Sequence, residues 1–131
     1  MALLSRQQIQ DVEDKGFEDV PVPEWGGEVR LKRMTAHERE RFELGAMKGK
    51  GKSSEVNLKN FRERLLIATA IDEHGGKLFG REDVIWLSGK SAVAMGRVYD
   101  KAMEMNGLSK KDEEELTGNS LDDEDDESSS G

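Results

Sequence analysis

The densest apolar run in this sequence lies between Asn57 and Phe79, in a chain that is otherwise highly charged. Apolar residues recur there at helical spacing and form a broad stripe, which consists of Leu58, Phe61, Leu65, Leu66, Ile67, Ala68 and Ile71. The run then enters the turn-forming sequence DEHGG at 72–76. This pattern predicts a central helix that is packed against on more than one side.

Alternation of apolar and polar residues between Phe17 and Met34 predicts a β-hairpin. Gly26-Gly27 supplies the conformations of a tight turn, and a two-residue loop there would pair Val22 with Leu31. In that register one face of the hairpin carries all the alternating apolar side chains, which are Val20, Val22, Val29 and Leu31.

Two prolines restrict how the first strand of this hairpin can pair. Pro21 and Pro23 have no N–H to donate to a ladder, so we expect the strand to lie at a sheet edge. A hairpin alone is marginally stable in water, so it must pack against helices or against another chain.

Helices are predicted on both sides of the central run. Thr35 to Glu38 matches a capping box, and the helix that it opens is expected to run from Ala36 to Met47. A brief helix is expected over 81–87, around Trp86.

A long last helix is predicted from a cap at Ser91 to Asn106, with Gly107 as its left-handed stop and Leu108 folding back on its end. Its buried stripe is expected to consist of Ala94, Met95, Val98, Ala102 and Met105. Ser109 with Asp112 predicts one more helical turn, which reaches Leu116.

Charge is distributed unevenly along the 131 residues. Positions 110–131 hold two lysines and ten acids, a net charge of −8, whereas positions 1–109 balance at 18 basic and 18 acidic residues. We therefore predict a flexible N-terminal segment at 1–16, one domain at 17–116 with its hairpin at 18–34, and a disordered acidic tail at 117–131. The fold class expected is α+β, mainly α.

Motifs that carry chemistry are absent from the sequence. There is no cysteine, so disulfides, thiolate metal sites and cysteine nucleophiles are excluded. No phosphate-binding loop, dinucleotide fingerprint or hydrolase motif occurs, and His74 beside Asp72 and Glu73 fits a polar turn better than a cation site. We expect no enzyme activity and no cofactor. With no signal peptide and no apolar run of transmembrane length, a soluble intracellular protein is expected.

Basic residues concentrate between Arg30 and Arg64, where eleven of them accompany five acids for a net charge of +6. Such a stretch can contact nucleic acid phosphates, although it lacks an aromatic stacking platform. We favour the interpretation that these charges solvate exposed helices, or that the acidic tail folds over them. The reason is that the body of the chain is neutral overall.

The order of several segments resembles the tail assembly chaperones of long-tailed bacteriophages of the siphovirus type. These segments are VPEWGGEVRLKRMT, a helix with ERERFE, LLIATAIDEHGGKLF and REDVIWLSGKSAVAMGRVYDKAMEMNGLS. The resemblance covers about residues 18–116 and leaves out the acidic tail.

The resemblance implies a role without catalysis. Such chaperones bind and solubilise the tape measure protein in the host cell cytoplasm, help to recruit tail tube subunits, and are absent from the mature virion. Many also have a longer, frameshifted form that contacts the major tail protein, and the present chain would correspond to the short form.

Partner contact and self-association are expected through the hairpin and through methionines of the last helix, because Met suits adaptable contact surfaces. The candidate contact residues are Val20, Val22, Val29, Leu31, Met95 and Met103. Two alternatives remain, which are a nucleic-acid-associated or host-modulating phage protein and a structural head–tail or minor tail component.

Overall fold

A small antiparallel sheet lies against the longest helix in the computed structural model, which describes residues 2–47 and 60–116. This architecture confirms the α+β, mainly α class. In chain order the elements are α1 (Arg6–Asp11), β1 (Phe17–Val22), β2 (Gly27–Lys32), α2 (Ala36–Met47), α3 (Phe61–Thr69), β3 (Ala70–Ile71), α4 (Val84–Leu87), α5 (Ala92–Met105) and α6 (Lys110–Leu116), with 3-10 turns at Pro23–Trp25 and Arg81–Asp83.

The hairpin β1–β2 forms as predicted, but its register differs. Val22 lies opposite Gly27, so the predicted pairing of Val22 with Leu31 is wrong. The loop is longer than two residues because Pro23–Trp25 forms a 3-10 turn and Gly26 closes it at φ 80°. The shift in register is even, so every apolar side chain of the hairpin keeps its predicted face.

A third strand completes the sheet and shortens the predicted central helix. Helix α3 ends at Thr69, and Ile71, predicted as part of the helical stripe, instead pairs with Arg30 in β3. The turn that follows is fixed by Asp72, whose Oδ1 accepts hydrogen bonds from the backbone N–H groups of His74 (2.8 Å) and Gly76 (2.9 Å). Those N–H groups lower the pKa of Asp72. Leu58 of the predicted stripe lies outside the described residues.

The predicted helix ends are confirmed in detail. Thr35 and Glu38 form the reciprocal capping box of α2, with N–H to side-chain distances of 2.9 and 3.1 Å. Ser91 caps α5 through the N–H of Ala94, and Gly107 takes φ 66° after its last turn. The N–H of Leu108 then donates to the carbonyl of Met103 at 2.9 Å, which folds the chain back onto α5.

One hydrophobic core joins α3, α5 and the inner face of the sheet, with Leu87 of α4 inserted beside them. Its fully buried large side chains are Val22, Leu31, Leu65, Leu66, Leu87 and Val98. A single buried polar residue, Thr69, appears among the described residues, and its hydroxyl donates to the carbonyl of Leu65 at 2.8 Å. Its hydrogen-bonding capacity is therefore used inside the helix.

Asn106 joins three elements at the end of α5. Its Oδ1 accepts the N–H of Met34 at 2.7 Å, and its Nδ2 donates to the carbonyl of Ala102 at 2.9 Å. Arg39 of α2 donates to the carbonyl of Asn106 at 3.0 Å. This Asn106 junction fixes β2 and the start of α2 against the end of α5.

The N-terminal segment carries one short helix, α1, whose capping box is formed by Ser5 and Gln8. Every side chain from Ala2 to Lys15 is exposed. The flexibility predicted for 1–16 stays a prediction, and the acidic tail at 117–131 lies outside the described residues.

Candidate protein-binding surfaces

The six side chains predicted as partner contacts all lie in the hydrophobic core. Those of the hairpin face α5, and the two methionines belong to α5 itself; the six are Val20, Val22, Val29, Leu31, Met95 and Met103. A partner would reach them only if the sheet opened, so their part in binding stays a prediction.

Strand β1 lies at an edge of the sheet, as predicted from its prolines. Pro21 lies opposite Glu28 in the ladder and has no N–H, so its nitrogen must face away from β2. A strand added at this edge would lack one ladder hydrogen bond at Pro21, near the end of β1. This geometry disfavours self-association by strand addition.

Exposed apolar side chains instead gather along the segment 78–93, around α4. Ile85 is 79% exposed, Val93 66%, Trp86 49% and Leu78 43%. We call Ile85 and Trp86, which are adjacent on α4, the α4 surface. Contiguous exposed apolar side chains mark candidate contact sites for proteins.

Trp86 is held in place within the α4 surface. Its ring packs edge-on against Phe79, with centroids 5.9 Å apart, and its Nε1 donates to Oδ1 of Asp83 at 2.7 Å. Asp83 also accepts the N–H of Gly80 at 2.7 Å, and these two donors lower the pKa of Asp83. A fixed, half-exposed aromatic ring suits a protein contact because little side-chain entropy is lost on binding.

Sequence reasoning missed the α4 surface, although a signal was present. Val84, Ile85, Trp86 and Leu87 are consecutive apolar residues, and a helix turns by about 100° per residue. A single turn cannot bury all four side chains against one core. Leu87 is buried and Val84 is half-buried, which leaves Ile85 and Trp86 facing out.

A second group of exposed apolar side chains lies in the N-terminal segment, at Leu3, Leu4, Ile9 and Val12. None of them contacts the described core.

The basic stretch between Arg30 and Arg64 divides into paired and unpaired residues. Four of its cations form ion pairs, which are Arg30 with Asp19, Lys32 with Glu38, Arg33 with Glu18 and Arg39 with Glu43. In the described chain Arg41, Arg62 and Arg64 have no such carboxylate partner. Over the described residues of this stretch the positive charge is therefore partly neutralised by neighbouring carboxylates, which gives no support there to the nucleic-acid alternative.

A shallow pocket of about 400 Å³ lies beside the Asn106 junction. Its lining includes Thr35, Arg39 and Asn106, whose polar groups already bond neighbouring groups of the protein. His74 lies in the turn after β3, largely exposed, with its Nε2 3.4 Å from Oε2 of Glu73. Across residues 2–47 and 60–116, no three His, Asp or Glu side chains are placed to hold a metal ion.

None of the described helices is long and apolar enough to cross a membrane.

A solved structure has a similar fold. The fold is similar to that in "Structure of bacteriophage HK97 tail assembly chaperone", with a TM-score of 0.51 and 15% sequence identity, over 79% of this chain and 94% of that one. No protein-family model and no curated protein sequence matches the chain. The chain thus has a fold like that of a phage tail assembly chaperone.

Proposed function

We propose that this protein is a tail assembly chaperone of a long-tailed bacteriophage, which binds and solubilises the tape measure protein and helps to recruit tail tube subunits. The observation that carries the proposal is the fold shared with the HK97 chaperone over nearly all of that chain. The order of sequence segments independently resembles the same family. Because a shared fold alone does not fix function, the proposal also needs a surface suited to the task.

The α4 surface meets that need. A chaperone of an aggregation-prone client must expose apolar groups in the folded state and stay soluble while it does so. Ile85 and Trp86 are exposed, and Arg81, Glu82 and Lys90 near them carry charge. Apolar side chains within a charged rim are the usual anatomy of a protein-binding site.

The wider role follows from the proposal. The protein would act in the host cell cytoplasm and be absent from the mature virion. Contact with the major tail protein would be made chiefly by a longer, frameshifted form, and homo-oligomers of the short form would present several α4 surfaces to one long client. No cofactor and no catalytic residue enters this role.

Co-expression of this chain with the tape measure protein of the same phage tests the proposal. We expect the long protein to become soluble and to co-purify with this chain. An insoluble, unbound long protein, together with retention of DNA by this chain at low salt, would instead support the nucleic-acid alternative.

A matched pair of variants locates the contact. Ile85→Ser removes an exposed apolar side chain from the α4 surface, and Leu44→Ser does the same on α2, where Leu44 is 54% exposed. We expect Ile85→Ser to reduce the soluble yield of the client and Leu44→Ser to leave it unchanged. Equal yields with both variants would remove the α4 surface from the proposal but keep the chaperone role.

A further inference from the structure

Asn106 and Gly107 form the one Asn-Gly pair in the sequence. In flexible chains such a pair is chemically labile. The backbone nitrogen of the glycine attacks Cγ of the asparagine, ammonia leaves and a succinimide ring forms, which water then opens to aspartate or isoaspartate. Glycine favours this attack because it has no Cβ to crowd the ring. The fold requires glycine here, since Gly107 ends α5 at φ 66°.

The folded backbone holds the reacting atoms apart. Asn106 has a ψ of 11°, which leaves the nitrogen of Gly107 almost eclipsed with the nitrogen of Asn106 itself. The Cβ of Asn106 is a different substituent of the same tetrahedral Cα, so it is turned away from the Gly107 nitrogen. Closure of the ring needs that nitrogen and Cβ on the same side of the Cα–C bond. This bond must therefore rotate before the reaction can occur.

That rotation breaks the end of α5. The N–H of Gly107 donates to the carbonyl of Glu104 at 3.2 Å, and the N–H of Leu108 donates to the carbonyl of Met103 at 2.9 Å. Both N–H groups lie beyond the bond that must turn, so both hydrogen bonds are lost. Leu108, which is 6% exposed, would also be displaced from the core. Ring closure therefore waits for local opening of the helix end.

The side chain of Asn106 is held in place as well. Its Oδ1 accepts the N–H of Met34 at 2.7 Å, and its Nδ2 donates to the carbonyls of Ala102 at 2.9 Å and Lys32 at 3.4 Å. Arg39 binds the backbone carbonyl of Asn106 at 3.0 Å. An attack on Cγ therefore also requires the amide to leave these partners.

The product lacks the groups that close the junction. Hydrolysis replaces the NH₂ of Asn106 with an oxygen, so acceptors face the carbonyls of Ala102 and Lys32, to which the amide donated. A carboxylate at the end of α5 is also opposed by the helix dipole. Isoaspartate adds its Cβ to the main chain, which changes the spacing on which the hydrogen bonds of Gly107 and Leu108 depend.

We propose that Asn106–Gly107 is a latent deamidation site, which the closed Asn106 junction keeps unreacted and which is modified when the junction opens. The reactants are the asparagine amide and water, and the products are ammonia and aspartate or isoaspartate. Modification then favours the open state, because the donor of the junction is gone. This inference is independent of the chaperone role, since it concerns only the chain's own groups.

Mass spectrometry of peptides from the full chain measures conversion at Asn106, at neutral pH with and without guanidinium chloride. We expect conversion to be at least about tenfold slower in the folded chain, because the reaction waits for local opening. Equal rates in the two conditions would overturn the proposal. Absence of conversion in the denaturant would overturn it as well.

Hydrogen exchange tests whether the opening is local. We expect the ratio of the folded rate to the unfolded rate to equal the open fraction measured at the Leu108 amide. A ratio that instead equals the open fraction at the Leu65 amide, in the middle of α3, would assign the reaction to global unfolding and contradict a local opening.

A matched pair of α2 variants tests the junction itself. Arg39→Gln removes the donor to the carbonyl of Asn106, and Arg41→Gln removes a cation from an exposed position of the same helix. We expect Arg39→Gln to speed conversion in the folded chain by about twofold to tenfold, because one hydrogen bond is lost. Arg41→Gln should leave the rate unchanged. Equal folded rates in the two variants would overturn the role given to the junction.

The modified chain, separated by its added negative charge, tests the last step. We expect its Leu108 amide to exchange faster than the same amide in the intact chain. Gln10→Glu adds the same charge on the exposed α1 and should leave this amide unchanged. Unchanged exchange in the modified chain would contradict the statement that the product favours the open junction.

Discussion

Helix α4 has two apolar faces, of which one is buried in the core and the other is exposed to solvent. Leu87 points into the core and is 1% exposed, whereas Ile85, two residues earlier in the same turn, is 79% exposed. Both are large aliphatic residues in one uninterrupted apolar run, so hydrophobicity alone does not distinguish them. The neighbouring elements decide, because α3 packs against only one side of α4. Leu87 therefore stabilises the fold through its burial, whereas the exposed Ile85 is available to a partner.

Among changes that test this comparison, Leu87→Ala should have the largest effect on stability. Truncating a fully buried leucine removes its transfer free energy and leaves a cavity, so the free energy of unfolding should fall by about 2–5 kcal/mol. Urea denaturation of the full chain, followed by tryptophan fluorescence, measures it. A loss below about 1 kcal/mol would show that α4 is not part of the cooperative core.

Asn106→Ala should have the next largest effect. The change leaves the partly buried N–H of Met34 without its acceptor, which costs about 1–3 kcal/mol. Urea denaturation measures the total decrease in the free energy of unfolding. Hydrogen exchange at the Met34 amide is the specific control, since this amide should lose protection more than the amides of α3.

Arg97→Gln should have a smaller effect that depends on pH. Paired guanidinium hydrogen bonds from Arg97, one of them 2.9 Å long, lower the pKa of Glu24 from 4.5 to about 2. Because the folded-state pKa lies below the unfolded one, the pair stabilises the fold above about pH 4.5, and this contribution is lost as the pH falls toward 2. The stability difference between wild type and variant should thus be present at pH 6 and vanish near pH 2.

An NMR titration of the Glu24 side chain is the direct check on that pair. In the Arg97→Gln variant, the pKa of Glu24 should return toward its ordinary value. An unchanged pKa would mean that the turn Pro23–Trp25 is not tied to α5 by these charges.

Ile85→Ala should have the smallest effect on stability. Its side chain lies mostly in solvent, so the free energy of unfolding should change by no more than about 0.5 kcal/mol. The same denaturation experiment compares it with Leu87→Ala. A larger loss that grows with protein concentration would show that Ile85 is buried between copies of this chain.

Elements whose signals are local in the sequence were predictable. The capping box at Thr35 and Glu38, the serine cap at Ser91 and the left-handed Gly107 each depend on residues within one turn. The apolar face of the hairpin was also predictable, because alternation with period two survives an even shift in register.

Features that depend on distant partners were not predictable in the same way. Strand β3 is only Ala70–Ile71, and it exists because Leu31 and Arg30 offer a free edge beside it. The hairpin register depended on whether Pro23 joined the ladder or the turn. Met95 was predicted both in the buried stripe of α5 and, with Met103, as a contact residue, and α5 turns both methionines toward the core.

The Asn106 junction has a consequence for the order of events during synthesis. Its hydrogen bonds reach back 72 positions to Met34 and 67 positions to Arg39. The apolar face of the hairpin therefore emerges from the ribosome long before α5 arrives to cover it. A polypeptide cut short ahead of Ala92 would lack the helix against which that face packs. The hairpin thus stays half-finished, with one sheet face uncovered, until more than sixty further residues have been added.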